Sequence, residues 1–104
     1  YVDDGAFARN FVETRVARGY GAARISADLR ARGVAPGLVS AALADLDPGA
    51  QLDRARVIAR RRLPALRRIA ADRAAGRLRD HLLRRGFPPG VVMRVVRETL
   101  RLED

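Results

Sequence analysis

The chain has 104 residues, 48% of them hydrophobic and 32% charged, with no cysteine and a formal net charge of +9. That length allows one domain or two very small ones, burying roughly two-thirds of the unfolded chain's surface. The composition excludes a disordered chain, a disulfide framework and a thiolate metal site, and no apolar run nears the roughly 20 residues of a membrane span.

Apolar residues recur at spacings of three and four, the period of helices lying on a core. The first helix is predicted over about Asp4–Arg18, with Asp4 as N-cap, Phe7, Ala8, Phe11 and Val12 as its inward stripe, and Gly19 as its stop. A second runs over about Ala22–Arg32, with Ile25 and Leu29 inward and Gly33 just past its end. Pro36 suits the first turn of a third helix carrying Leu38, Val39, Ala42, Leu43 and Leu46. The turn Asp47-Pro48-Gly49 then breaks the chain. A fourth helix is predicted over about Ala50–Arg62, with Leu52, Ala55, Ile58 and Ala59 inward, and Pro64 marks a break or kink. The fifth covers about Asp72–Arg85, with Leu78 and Leu82 inward and Gly86 as its stop. The sixth starts near Pro89 and carries Val91, Val92, Val95, Val96 and Leu100. Val91-Val92 hints at a strand, but the proline start and three-four spacing favour a helix.

The chain repeats itself. A shift of 53 residues places Arg24-Ile25 on Arg77-Leu78, Leu29 on Leu82, Arg32-Gly33-Val34 on Arg85-Gly86-Phe87, and Pro36-Gly37 on Pro89-Gly90. The first helix matches the fourth at a shift of about 47. The predicted fold is all-α: two tandem three-helix repeats, six main helices in total, over residues 1–47 and 48–104, in an elongated, right-to-left stack. Each core is thin, so the neighbours are expected to pack on each other.

Catalytic chemistry finds no support. His81 is the lone histidine, its repeat equivalent is Asp28, and neither Ser26 nor Ser40 has a base at matching spacing. Asp3-Asp4 and Glu103-Asp104 are adjacent pairs rather than convergent ligand sets, so no metal and no cofactor is expected. Asp3-Asp4 more simply favours a helix N-terminus. Gly19-Tyr20-Gly21 precedes a helix, but the lysine and hydroxyl of a phosphate-binding loop are missing. It reads as a tight interhelical turn in which Gly21 permits the reversal. Tyr20 is left with two placements, packed at that corner or exposed as a contact residue.

Charge is the strongest functional signal. All 21 basic residues are arginine, which a GC-rich genome alone would favour. Their placement is uneven: residues 1–52 hold six arginines and six acids, residues 53–104 fifteen and six, and residues 54–85 alone hold twelve arginines against Asp72 and Asp80. Arg60, Arg61, Arg67, Arg68, Arg73, Arg77, Arg84 and Arg85 form clusters on connected segments, suited to phosphates or to a carboxylate-rich protein face. The few aromatics argue against base-stacking recognition of single strands, and the arginine-poor third helix of each repeat argues against groove reading.

Tyr1-Val2-Asp3-Asp4, Phe7-Ala8, Arg18-Gly19-Tyr20-Gly21, Arg24-Ile25, Leu29 and Gly33-Val34, followed by Leu82-Leu83-Arg84-Arg85-Gly86-Phe87 and the valine pairs Val91-Val92 and Val95-Val96, resemble the ordered signatures of RecX regulatory proteins. The resemblance implies tandem three-helix repeats, usually three, with no enzymatic chemistry. It also implies binding to the recombinase RecA, in the groove of its filament on single-stranded DNA, with suppression of ATP hydrolysis, strand exchange and coprotease activity, and weak nucleic-acid binding. Two repeats are present here, so the usual first one is expected upstream of Tyr1. Leu63–Asp72, with Pro64, departs from the family pattern.

The resulting expectation is a cytoplasmic, non-enzymatic inhibitor of RecA filaments with no membrane or small-molecule partner. Its contact residues would be Arg24, Arg77, Arg84 and Arg85, near-equivalent between repeats, reinforced by Arg60, Arg61, Arg67, Arg68 and Arg73, with Tyr20 at the corner. The rival is a sequence-independent DNA-binding module acting through the same arginines. A scaffold for some other acidic protein is a third reading.

Overall fold

The computed structural model describes residues 3–101, and within them the chain forms six helices: α1 (Asp4–Ala17), α2 (Ala22–Ala31), α3 (Pro36–Leu43), α4 (Pro48–Leu66), α5 (Ala71–Arg84) and α6 (Pro89–Leu100). Tyr1 and Val2 of the family signature, and the Glu103-Asp104 pair, lie outside the described residues.

Local chemistry explains the helix ends. Asp3, not Asp4, caps α1: its backbone is extended, and its carboxylate accepts from the N–H groups of Gly5 and Ala6 at 3.0 and 3.1 Å. Asp4 is the first helical residue, where its charge still meets the positive end of the helix dipole. Gly19, Gly33 and Gly86 have φ of +86°, +85° and +94°, each after an arginine C-cap. The residue after each glycine bonds back to a helix carbonyl: Tyr20 to Arg15, Val34 to Leu29, Phe87 to Leu82. This is the left-handed glycine stop, built three times over.

The fourth helix corrects the expected boundaries at both ends. It starts at Pro48, because Asp47 caps it through the Gly49 N–H at 3.1 Å. Asp47-Pro48-Gly49 therefore opens a helix rather than merely breaking the chain. At the other end α4 passes through Pro64 to Leu66. Proline removes one hydrogen bond, the one to the Arg60 carbonyl. Being exposed and in the last turn, it leaves the rest of the ladder in place. Leu66, only 5% exposed, anchors the end in the core, and Arg67 N–H closes onto the Leu63 carbonyl. Val91-Val92 is helical, behind Pro89 in the first turn of α6.

Each group of three helices encloses its own core. Ala8, Phe11, Val12, Ile25, Leu29, Val34, Val39 and Ala42 fill the first, with Phe7 and Tyr20 packed partly against it. Ala55, Ala59, Leu66, Ala74, Leu78, Leu82, Phe87, Val92, Val95 and Val96 fill the second. Val34 and Phe87 occupy the same turn position in their two cores. The modules lie end to end, 52 × 21 × 18 Å overall. They do meet, as expected of thin neighbouring repeats, but among the described residues no buried apolar side chain belongs to both cores.

Candidate partner-binding site

What joins the modules is a set of hydrogen bonds, each with a backbone group on at least one side. The first N–H groups of a helix have no partner inside it, and α2 has no side-chain cap of its own. The second module supplies acceptors instead. Gly21 N–H donates to the Arg85 carbonyl at 2.7 Å, Ala23 N–H to the Gly86 carbonyl at 3.0 Å, and Ala22 N–H to Oε1 of the buried Gln51 at 2.8 Å. Gly21 has φ of −89°, an ordinary value, so the turn does not need glycine for its reversal. Glycine is needed there for approach. A Cβ on Gly21 would lie 2.5 Å from the backbone of Gly86 and Phe87, and one on Gly86 would overlap the Arg24 backbone.

Arg24 and Arg85 frame this joint. Arg24 Nη1 donates to the Arg84 carbonyl and Arg85 Nη1 to the Arg18 carbonyl, both at 3.2 Å. Each bond places a cation at the negative end of a helix from the other module. Both guanidinium groups sit 4.9 Å from the centre of the Tyr20 ring, within cation–π range. Of its two open placements, Tyr20 takes the corner: half-buried, against the first core, between two arginines. The Arg18-Gly19-Tyr20-Gly21 and Arg85-Gly86-Phe87 signatures thus meet in space, although more than sixty positions apart in sequence.

The remaining arginines of the expected surface fall into separate groups. Arg61 shares with Arg85 a groove between the modules, also lined by Arg18 and Arg54. Arg60 and Arg67 flank a second groove beside α6. Arg24, Arg84 and Arg85 surround a shallow pocket that includes His81. Arg68, Arg73 and Arg77 are exposed. Among the described residues, the ion pair of Arg24 is a long contact of 3.6 Å to Asp28, and none forms at Arg60, Arg61, Arg67, Arg68, Arg73, Arg77, Arg84 or Arg85.

Two groups escaped the sequence reading. Arg56 grips Glu98 with two hydrogen bonds of 2.8 and 3.0 Å and reaches Asp53 at 3.0 Å, while Arg94 holds Glu98 from one turn away at 3.1 Å. The Arg56 hydrogen bonds, with that of Arg94, pull the Glu98 carboxyl down to about 2, and the same fork raises the Arg56 guanidinium. The four-residue spacing of Arg94 and Glu98 is a readable sign; the contact between α4 and α6 has no local signature. Arg54 is the second omission, with Nε and Nη2 buried and without a hydrogen-bond partner.

His81 sits among cations. Burial, and then Arg62, Arg85 and Arg84, lower its pKa. Among the described residues, no three His, Cys, Asp or Glu side chains converge as a metal site, and no helix is long and apolar enough to cross a membrane.

With this geometry in place, comparison with known proteins is specific. The family model for the second three-helix domain of RecX matches residues 3–43, and that for the third three-helix domain matches residues 50–96. The chain is 41% identical over 103 residues to the regulatory protein RecX of Thermobifida fusca, covering 98% of this chain and 56% of that protein. It is 36% identical over 103 residues to its counterpart in Streptomyces coelicolor, with 98% and 55% covered. With that of Halorhodospira halophila it shares 44% over 87 residues, with 83% and 52% covered. The chain thus spans about half the length of these curated relatives. No solved structure matches it.

Proposed function

The chain belongs to the RecX family of regulatory proteins, and on that premise we propose that it is a non-enzymatic regulator that binds the RecA filament on single-stranded DNA and restrains its ATPase, strand-exchange and coprotease activities. The observation that carries this reading is the ordered pair of RecX domain matches, whose signature residues build one joint between the modules. With the joint closed the described residues extend over 52 Å, a length suited to bridging neighbouring subunits of a helical assembly. Bridging would hinder the relative movements of those subunits that nucleotide turnover needs, and occupying the groove would exclude duplex DNA or a repressor substrate.

Arg60, Arg61, Arg67, Arg68, Arg73, Arg77 and Arg84 are the residues proposed to contact acidic subunit surfaces or filament DNA, since a guanidinium matches carboxylate and phosphate oxygens in pairs. Arg24, Arg85 and Tyr20 would act by holding the joint, with the remaining guanidinium N–H groups turned to the partner. The test is the DNA-stimulated ATPase of RecA with the chain added at physiological salt, beside its binding to the same bare DNA. Inhibition well below the concentration that coats bare DNA is expected. Inhibition only once the DNA is coated would overturn filament recognition.

The unpaired arginines favour a second reading, a sequence-independent DNA-binding module. It predicts equal affinity for bare DNA and filament, with a steep salt dependence. Replacing Arg60, Arg61, Arg67 and Arg68 by alanine would lower that salt slope by about one for each phosphate left unneutralised.

A further inference from the structure

The groove between the modules has a volume of about 280 Å³ and is walled by Val16, Arg18, Arg54, Val57, Arg61 and Arg85. Among the described residues, no acidic side chain lines it. Arg54 is its anomaly. The Nε and Nη2 atoms form the edge of a guanidinium that grips a carboxylate at two points, and in Arg54 both are covered and unpaired. Burial lowers the pKa of Arg54, yet a guanidinium does not discharge in a protein, so the charge remains with these two nitrogens unpaired. Two residues along the same helix, Arg56 has its fork filled by Glu98.

The repeat shows that this position does not require an arginine. The shift of 47 that places Ala8 on Ala55 and Val12 on Ala59 places Phe7 on Arg54. Where the first module has a ring packed on its core, the second has a half-buried arginine, two of its nitrogens covered, beside the other module. A buried, unpaired polar group destabilises a fold, so its presence points to an acceptor supplied from outside.

We propose that this groove is a socket for a single carboxylate side chain, Asp or Glu, of a protein partner, held by the Nε/Nη2 edge of Arg54 with Arg61 and Arg85 beside it. The apolar wall distinguishes a carboxylate from a nucleic-acid phosphate. Val16, Val57 and Ile58 offer contact to the methylene stem of an acidic residue, whereas a phosphodiester backbone meets the exposed Arg60, Arg67 and Arg68 first. Because the edge is covered in the free chain, occupancy requires the side chain to swing into the groove that it lines. The proposal names the partner chemistry of one part of the surface proposed above, but its test uses no recombinase, so either reading can fail without the other.

The experiment follows the arginine Nε–Hε resonances of the ¹⁵N-labelled chain during titration with a hexaglutamate peptide and, separately, with a short oligothymidine and with inorganic phosphate. The peptide is expected to move the Arg54 resonance saturably. Arg54→Met is expected to lose about tenfold or more in peptide affinity, to keep its oligothymidine affinity, and to melt at a higher temperature. Arg54→Lys keeps the charge but loses the two-point grip, and is expected to bind the peptide more weakly than the original chain. A peptide that moves only exposed arginines, peptide affinity unchanged in both variants, or a stronger Arg54 response to oligothymidine or phosphate would each overturn the proposal.

Discussion

The first module is net neutral and has phenylalanines in and against its core; the second carries the whole positive excess over a core of alanine, leucine and valine around Phe87. Even their arginines behave differently. In the first module Arg15 and Arg32 lie over the Phe11 ring, at 4.2 and 5.0 Å. In the second Arg56 is locked onto carboxylates, and most of the others remain without an ion pair among the described residues. The same three-helix frame thus supports two surfaces. Positions shared by both copies, such as Leu29 with Leu82 and Gly33 with Gly86, maintain the frame. Positions that differ, such as Phe7 and Arg54, are where binding properties can diverge without disturbing it.

The sharpest way to break this comparison is to damage one core at a time. Leu29 and Leu82 are both fully buried, and either changed to alanine should destabilise its module by about 2–5 kcal/mol. Because the cores are separate, Leu82→Ala is expected to broaden or split the thermal transition while amides of α1–α3 keep their hydrogen-exchange protection. A single sharp transition at lower temperature would mean that the joint couples the modules fully.

The joint itself is the next target. Gly21→Ala forces a methyl group into the backbone of Gly86, at a cost of about 1–3 kcal/mol. The expected outcome is two modules that remain helical but lose their fixed arrangement, seen as a larger spread of dimensions in small-angle scattering. Smaller again is the cap: Asp3→Ala should cost about 1 kcal/mol, visible as early exchange in the first turn of α1 and nowhere in the second module.

Smallest is the ion pair on the second module. Glu98 titrates near 2 in the folded chain, below its unfolded value of roughly 4.3. Its contribution to stability is therefore complete above that unfolded value and is lost as pH falls towards 2. Glu98→Gln should flatten the acid limb of the second module's unfolding curve and leave that of the first unchanged. An identical acid limb in the variant would show that the fork is replaced by solvent at no loss.

Much of the frame was legible because its causes are local. Three-four spacing marks helices, and a glycine after an arginine marks each of three stops. The six-helix order, the repeat and the family all follow from such signs. Pro64 does not break the helix, because proline's local penalty is a rule about neighbours, whereas the buried Leu66 anchors the last turn in the core. Gly21 was correctly placed in a turn but for the wrong reason, since what demands glycine is a backbone distant in sequence. Asp3 displaced Asp4 as cap by one position, a difference that depends on one backbone angle. The arginine clusters were visible as charge, but spacing does not tell a free guanidinium from one bonded across the joint, and neither Arg54 nor the Arg56–Glu98 fork has a signature along the chain.

The glycine seat also gives the row of modules a polarity. The shift of 53 that carries Gly33 onto Gly86 carries Gly21 onto Ala74, and the Ala74 methyl is already buried in the second core. The start of α2 thus closes on the Arg85-Gly86 turn at a glycine, whereas the repeat-equivalent position lies inside α5 and holds a methyl group packed in its own core. The Gly33 turn, by contrast, has open space where a Cβ would stand. The seat in the first module and the turn in the second are therefore not interchangeable parts of the joint.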